Sequence, residues 1–458
     1  YTTITSQTLT FAGTAGETQT FTVTPTADTK LEANETLTIS QANLSATTLS
    51  VAISDGATVT ITNDDAAAVT IADVSGAENG GAITVTATLD NAVQGGFTVD
   101  MSSADGTATT ADSDYTAVTS QTLTFAGTAG ETQTFTVTPT ADTKLEANET
   151  LTISQANLLA TTLSVAISDG ATVTITNDDA AAVTIADVSG AENGGAITVT
   201  ATLDNAAQGG FTVDVSTADG TATTVDSDYT AVTSQTLTFA GTAGETQTFT
   251  VTPTADTKLE ANETLTISQA NLLATTLSVA ISDGATVTIT NDDAAAVTIA
   301  AVSGAEDAGA ITVTAMLDNA VDGAFTVDVS TADGTATLAN SDYTAITSQT
   351  LTFAGTAGET QTFTVTPTAD ATSEGNETIQ IIQSNLTGTA LAVNISDVGM
   401  VTISDDDDGT APIGYTVSFD DALIGASEVT TSKFTFAGAE VGTTYNYTVS
   451  SDGGGTNV

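Results

Sequence analysis

Threonine and apolar residues alternate along most of this chain, as in Thr134-Phe135-Thr136-Val137-Thr138, and a period of two sends one set to a buried face and the other into water. Between residues 66 and 179 the alternation gives runs at 69–71, 82–89, 97–103, 121–125, 132–138, 150–154, 163–167 and 172–176, which predict seven or eight strands. Gly80-Gly81, Gly95-Gly96, Asp105-Gly106, Gly127, Gly130 and Asp169-Gly170 punctuate the runs at turn spacing, and no 3.6-residue periodicity outlasts two turns. The pattern predicts an all-β chain of antiparallel β-sandwich modules, each of about one hundred residues. Phe97, Phe125 and Phe135 fall on the inward set and are core candidates, while the Thr ladders need no role beyond a solvated face.

The pattern repeats every 114 residues. Tyr1 aligns with Tyr115, so residues 1–65 read as the C-terminal half of a first copy and the chain as a window from a longer protein. Residues 66–179 and 180–293 differ at only four aligned positions, Val93/Ala207, Met101/Val215, Ser103/Thr217 and Ala111/Val225, which implies recent duplication. Residues 294–408 form a more divergent fourth copy, with Thr372 in place of Lys258 and Asp405 in place of Asn291. Only Ala180-Ala181-Ala182 stands between the last acids of one copy and the Val183 strand of the next. A linker this short and free of Gly cannot behave as a flexible coil, so the modules are expected to join nearly end to end as a rod. Pro412, outside the repeated Thr-Pro-Thr motif, marks a boundary; beyond it, residues 413–458 carry runs at 415–419, 433–436 and 444–449 that predict part of a second, Ig-like type of module.

Charge narrows the possible partners. The 56 acidic residues stand against four Lys and no Arg, for a formal net charge of -52. Such a field repels a phosphate backbone, which excludes nucleic acid, and it attracts cations. The absence of His, Cys and Trp removes zinc ligands, thiol nucleophiles and aromatic platforms for sugars. Paired carboxylates could serve glycoside hydrolysis, but equivalent active sites repeated along one rod are a poor fit, so no enzyme is expected. No apolar run of 18 residues is present, so this segment is not expected to insert in a membrane.

The candidate chemistry lies in the stretch 142–149, Asp-Thr-Lys-Leu-Glu-Ala-Asn-Glu, which sets Asp142, Glu146 and Glu149 at offsets of four and three. It recurs as Asp28, Glu32 and Glu35, as Asp256, Glu260 and Glu263, and as Asp370, Glu374 and Glu377. Glu78, Asp105 and the pair Asp178-Asp179 occupy loops that a sandwich can bring to the same pole, so seven carboxylates are expected to converge. Two carboxylates about 5 Å apart repel by roughly 3 kcal/mol at an effective dielectric near 20, and several together exceed what Lys144 can offset. Hard oxygen donors in this number suit Ca²⁺. The alternative is a set of solvated loop acids kept for solubility; the persistence of Asp370, Glu374, Glu377, Asp406 and Asp407 where Lys258 is lost favours the ion. The same loss argues against an isopeptide cross-link through Lys30, Lys144 and Lys258.

At these residues the chain resembles a known family. Ala-Asp-Gly-Thr-Ala-Thr at 104–109, Ser113-Asp114-Tyr115, the Leu-Thr-Phe-Ala-Gly-Thr-Ala-Gly-Glu-Thr of 123–132, the Asp-x-x-x-Glu-x-x-Glu-Thr motif and Val-Thr-Ile-x-Asn-Asp-Asp at 173–179 are similar to the Calx-beta domain, over residues 1 to about 408. That family is a Ca²⁺-binding sandwich of sodium-calcium exchangers and long extracellular adhesion proteins. The resemblance implies Ca²⁺ ligands Glu78, Asp105, Asp142, Glu146, Glu149, Asp178 and Asp179 in the second copy, and Glu192, Asp219, Asp256, Glu260, Glu263, Asp292 and Asp293 in the third. Carried to the other copies, it implies Asp28, Glu32, Glu35, Asp64 and Asp65 in the first and Glu306, Asp333, Asp370, Glu374, Glu377, Asp406 and Asp407 in the fourth. Ala141-Asp142 stands where the family often has two acids, and Asn177-Asp178-Asp179 where it has three, which implies fewer or weaker ions. The tail, with Phe-Thr-Phe-Ala-Gly-Ala-Glu-Val-Gly-Thr-Thr-Tyr-Asn-Tyr at 434–447, is similar to Ig-like repeats of giant surface adhesins of gliding flavobacteria.

Together these features lead to an expected role as the stalk of an extracellular, cell-surface adhesin. Calcium would stiffen the tandem modules, and other parts of the parent chain would meet the surface-anchoring or motility machinery. A regulatory calcium-sensing array and a metal-free spacer are the alternatives.

Overall fold

In the computed structural model, described for residues 1–45, 48–54, 56–167, 170–282, 284–407, 416–419 and 434–438, the alternating runs are strands and each complete copy is a two-sheet sandwich. In the partial first copy, β1 (Glu35–Ile39) pairs antiparallel with β2 (Ala57–Ile61). The second copy comprises β3 (Ala68–Ile71), β4 (Val74–Ala77), β5 (Ile83–Leu89), β6 (Phe97–Asp105), β7 (Tyr115–Thr116), β8 (Gln121–Phe125), β9 (Thr132–Pro139), β10 (Glu149–Leu159), β11 (Ala166–Ile167) and β12 (Ala171–Thr176). One sheet has the order β4-β12-β10-β6-β8 and the other β11-β3-β5-β9-β7; the third copy repeats both.

The pleat explains the composition. In β5, Ile83, Val85, Ala87 and Leu89 are buried while Thr84 and Thr86 face water. Phe97 and Phe125 stand opposite each other across β6 and β8 and stack with ring centroids 5.2 Å apart, a pair repeated at Phe211–Phe239 and Phe325–Phe353. Phe135 is buried as well, so all three aromatic core candidates pack inside. In the first copy the equivalent Leu9, Phe11 and Phe21 are exposed, since this sequence holds only 65 residues of it, without the strands that pair with them elsewhere.

Two strands escape the alternation pattern. After β3 the chain crosses to the other sheet and β4 runs parallel to β12, a step held by Thr172 N donating to Asp73 Oδ1 at 2.7 Å. Val-Ser-Gly-Ala carries little periodicity because the approach is close: a Cβ on Gly76 would lie 2.7 Å from Ile83 Cγ1. The crossing delivers Glu78 beside the end of β12. The second unforeseen strand, β7, has only two residues. β10 runs past its predicted end through Asn157, whose φ of 52° marks the register shift against β6.

The triple-alanine linkers are packed, with Ala67, Ala181 and Ala295 each 2% exposed. Leu31, Leu145 and Leu259 of the acidic loops form parallel bridges with Val93, Ala207 and Val321 of the copy that follows. In the tail, strands Thr416–Phe419 and Phe434–Ala437 pair antiparallel; Pro412 and the run expected at 444–449 lie outside the described residues.

Candidate metal centre

The acids collect at one pole of each sandwich, where the loop after β9, the turn after β4 and the end of β12 meet. In the second copy, oxygens of Glu78, Asp178 and Asp179 lie within 4.8 Å of one another, and so do oxygens of Asp114, Glu146 and Glu149. A small cavity between these groups is lined by Glu78, Asp114, Asp142, Glu146, Glu149 and Asn177. Asp142 ties them together: its backbone N donates to Glu78 Oε1 at 3.1 Å, and its own Oδ1 accepts from Lys144 N at 2.6 Å. Asn177 Oδ1 accepts from Glu146 N at 2.9 Å, and Asn79 Nδ2 donates to Asp178 Oδ1 at 3.0 Å.

The third copy reproduces both groups, as Glu192, Asp292 and Asp293 and as Asp228, Glu260 and Glu263, with Asp256 lining the cavity. In the fourth, Glu306 meets Asp405 and Asp407, and Asp370 N donates to Glu306 Oε1 at 2.9 Å. Asp406 instead accepts from Asp307 N at 3.4 Å, so the sequence-based pair Asp406-Asp407 is replaced in that group by Asp405 and Asp407. In the first copy, burial and then the carboxylates of Asp64, Asp28 and Glu32 push the Asp65 carboxyl up, which places these four acids together; Glu32 also pairs with Lys30 at 2.7 Å, and Glu35 opens β1.

One expected ligand stands apart from these groups and one unforeseen acid takes its place. Asp105 accepts from the Tyr115 hydroxyl at 2.7 Å and from Thr110 N at 3.2 Å, bonds that hold its carboxyl below the usual range, as the Tyr229 hydroxyl does for Asp219; Asp333 accepts from the Tyr343 hydroxyl in the same position. These aspartates close the loop that follows β6. Asp114 instead sits on a turn made by Ser113 at φ 71°, with Thr109 N donating to its Oδ2 at 2.6 Å, and it reaches Glu146 and Glu149. Its signal was the Ser-Asp-Tyr repeated in every complete copy, just before a strand whose partner Pro139 leads into the acidic loop.

The electrostatics are those of a site short of positive charge. Burial, then the Asp142 carboxylate, raise Glu78 to about 7, and burial followed by Asp114 raises Glu149 to about 7. Glu192 and Glu263 are raised to about 7 by burial and then by Asp256 and Asp228. At the pole Lys144 pairs with Glu146 and Lys258 with Glu260, Lys258 also reaching Asp322 of the following copy, and the other acids of the two groups have no lysine partner among the described residues. In the fourth copy Asp405 Oδ1 is buried without a hydrogen-bond partner among the described residues. A buried carboxylate oxygen without a donor, in an all-oxygen set with no nitrogen or sulfur ligand, fits a hard divalent cation.

Comparison with known proteins agrees with this chemistry. A model of the Calx-beta domain matches residues 1–65, 66–179, 180–293 and 295–407. The chain belongs to the Calx-beta family. Among solved structures it is similar to CBD12 from CALX1.2, at 18% identity over 49% of this chain and 99% of that one, with a TM-score of 0.23. Calcium binding domain CBD12 of CALX1.1 shares 21% identity over 44% and 77% of the two chains (TM-score 0.23), and the apo-form Calx CBD1 domain 25% over 25% and 100% (TM-score 0.21). No curated protein sequence matches the chain. The family assignment accounts for a sandwich of calcium-binding type with its acids at one pole.

Proposed function

We propose that these tandem Calx-beta modules are a calcium-stiffened stalk segment of a large extracellular adhesin, holding a distal adhesive region away from the cell surface, in a setting such as surface gliding. The observation that carries this reading is position. The Asp142–Glu149 loop supplies the candidate ligands Glu146 and Glu149 and, through Leu145 between them and Asp142, also touches the next copy. In each complete copy Ca²⁺ would be held by the Glu78 and Asp114 groups and their equivalents, replacing mutual repulsion by attraction to a shared ion. Extracellular Ca²⁺ sites typically bind at about 10⁻⁴ to 10⁻³ M, so millimolar surroundings would keep them filled. A charge of -52 supports solubility and resists self-association in such a setting.

Calcium titration of the chain by calorimetry, with small-angle scattering on the same samples, tests the reading. Saturable binding that lengthens and stiffens the particle, reversed by chelator, is expected. Absence of binding up to several millimolar would leave a metal-free spacer, and binding that shortens or bends the particle would favour a sensing array.

A further inference from the structure

Each complete junction joins two copies through one leucine. Leu145 is 6% exposed and belongs to the hydrophobic core of the following copy, where it bridges Ala207. Its backbone is satisfied from the same side: Leu145 N donates to Ala206 O at 2.9 Å, and Gln208 N donates to Leu145 O at 2.8 Å. The Gln208 side chain then reaches back, accepting from Ala147 N at 3.2 Å and donating through Nε2 to Glu149 Oε1 at 3.2 Å. The following copy therefore fixes the acidic loop of the preceding one at three successive points.

The other junctions keep the knob and vary the clasp. Leu31 is held by Ala92 and Gln94 in the same way, with Ala33 N donating to Gln94 Oε1 at 3.1 Å. Leu259 is held by Ala320 and by the backbone of Asp322, which replaces the glutamine and faces Lys258 at 3.4 Å. The fourth copy departs at this point: Ser373 stands where the leucine should be, is exposed, and donates through Oγ to Asp405 Oδ2 of its own pole at 3.4 Å. The receiving sequence stops with the knobs. Leu-Asp-Asn-Ala occurs at 89–92, 203–206 and 317–320 and nowhere in 409–458.

We infer that the leucine of each acidic loop is a lock specific for a further copy of this module, with Gln208 as a positioning residue for Glu149, and that Ser373 closes the locked series. An apolar knob with no receiver would be an exposed leucine in a loop of acids, so losing knob and receiver together is the arrangement expected where the partner changes. The lock rests on packing and amide hydrogen bonds, so it exists without any ion and stands or falls separately from the calcium reading.

The chain has no cysteine, so introduced spin-label pairs report distances between the second and third copies, and hydrogen exchange reads the amides of 145–149 in the same full-length protein, in chelator. Leu145→Ser is expected to broaden the inter-copy distance distribution and to speed exchange at Ala147 about tenfold, while Leu145→Met restores both. Gln208→Ala, which leaves the core intact, is expected to speed exchange at Ala147 alone. Ser373→Leu is expected to change neither distance nor exchange. An unchanged distribution in Leu145→Ser would overturn the lock, and new protection of residues 373–377 in Ser373→Leu would overturn the assignment of Ser373 as its end. A lock intact in chelator, with no further change on adding calcium, would sustain this inference and remove the calcium-stiffened stalk.

Discussion

The third and fourth copies hold the same acidic pole in different ways. In the third, Asn193 Nδ2 donates to Asp292 Oδ1 at 3.0 Å, Asn291 Oδ1 accepts from Glu260 N at 3.0 Å, and Lys258 pairs with Glu260. In the fourth, those three positions are Asp307, Asp405 and Thr372. The amide donors and the cation are gone, and Asp405 Oδ1 is left buried without a partner among the described residues. The ion-free pole of the third copy is thus tempered by its own side chains, whereas that of the fourth is more negative by three charges and has no lysine of its own copy to offset them. The second and third copies are too alike to reveal which acids matter; the divergent copy keeps the carboxylates and drops what neutralises them.

The largest effect should come from removing calcium. An ion bound at 10⁻⁴ to 10⁻³ M adds about 1–2 kcal/mol of stability per site at a few millimolar free Ca²⁺. Chelation is expected to lower the unfolding temperature of every complete copy and that of the fourth most, with peptide-resolved hydrogen exchange during a thermal ramp telling the copies apart. An equal loss in the third and fourth would break the comparison.

Two substitutions, smaller in effect, separate ligand from scaffold. Asp228→Asn removes a carboxylate from the Glu260 and Glu263 group, so calcium binding to the third copy should weaken roughly tenfold, which is about 1.4 kcal/mol. Asp219→Asn disturbs the Tyr229 hydroxyl bond and the loop it closes. It should lower the unfolding temperature modestly and leave the calorimetric calcium isotherm unchanged. The reverse pattern would return Asp219 to the ligand set and exclude Asp228.

That pair also shows where sequence stops. The period-two alternation was enough for the two-sheet sandwich, because Phe97, Phe125 and Val85 can be buried together only one way once the turns are set. The acidic pole was legible through Asp142, Glu146, Glu149, Glu78, Asp178 and Asp179, since constant spacing beside strand ends puts loops at one end of a sandwich. Asp105 and Asp114 were not separable by spacing, because both flank the same excursion between β6 and β7. Which one faces the pole depends on the left-handed turn at Ser113 and on the Tyr115 hydroxyl, both tertiary facts. Leu145 was invisible for another reason: its partners lie in the next copy, and a single leucine among acids carries no periodicity.

The smallest expected effect, and the one that tests the comparison most finely, is the dependence on pH. Glu192 and Glu263 have folded-state values of about 7 against an ordinary 4.5, so the ion-free folded third copy holds more protons than its unfolded chain between those limits. Its ion-free stability is therefore greatest toward the acid end of that window and is lost as pH rises through about 7. Calcium reverses the sign, because an ion must displace those protons; affinity should rise with pH up to about 7 and then level off. Carboxyls held low by hydrogen bonds, such as Asp219 and Glu245, act in the opposite sense only below the ordinary carboxylate range, so a scan from pH 5 to 8 isolates the raised pair. In the fourth copy Glu306 and Glu377 are raised by burial first and then by neighbouring acids, and Asp407 is raised by burial and by Asp307, Asp405 and Asp406. Proton uptake there is spread over more acids with no lysine to oppose it. Unfolding temperatures measured in chelator should fall from pH 5 to 8 in both copies, and in saturating calcium, which keeps these carboxylates free of protons, that decline should disappear. A decline with pH that survives calcium would mean that protons and the ion do not compete for the same carboxylates, and the acidic pole would then owe its raised groups to burial alone.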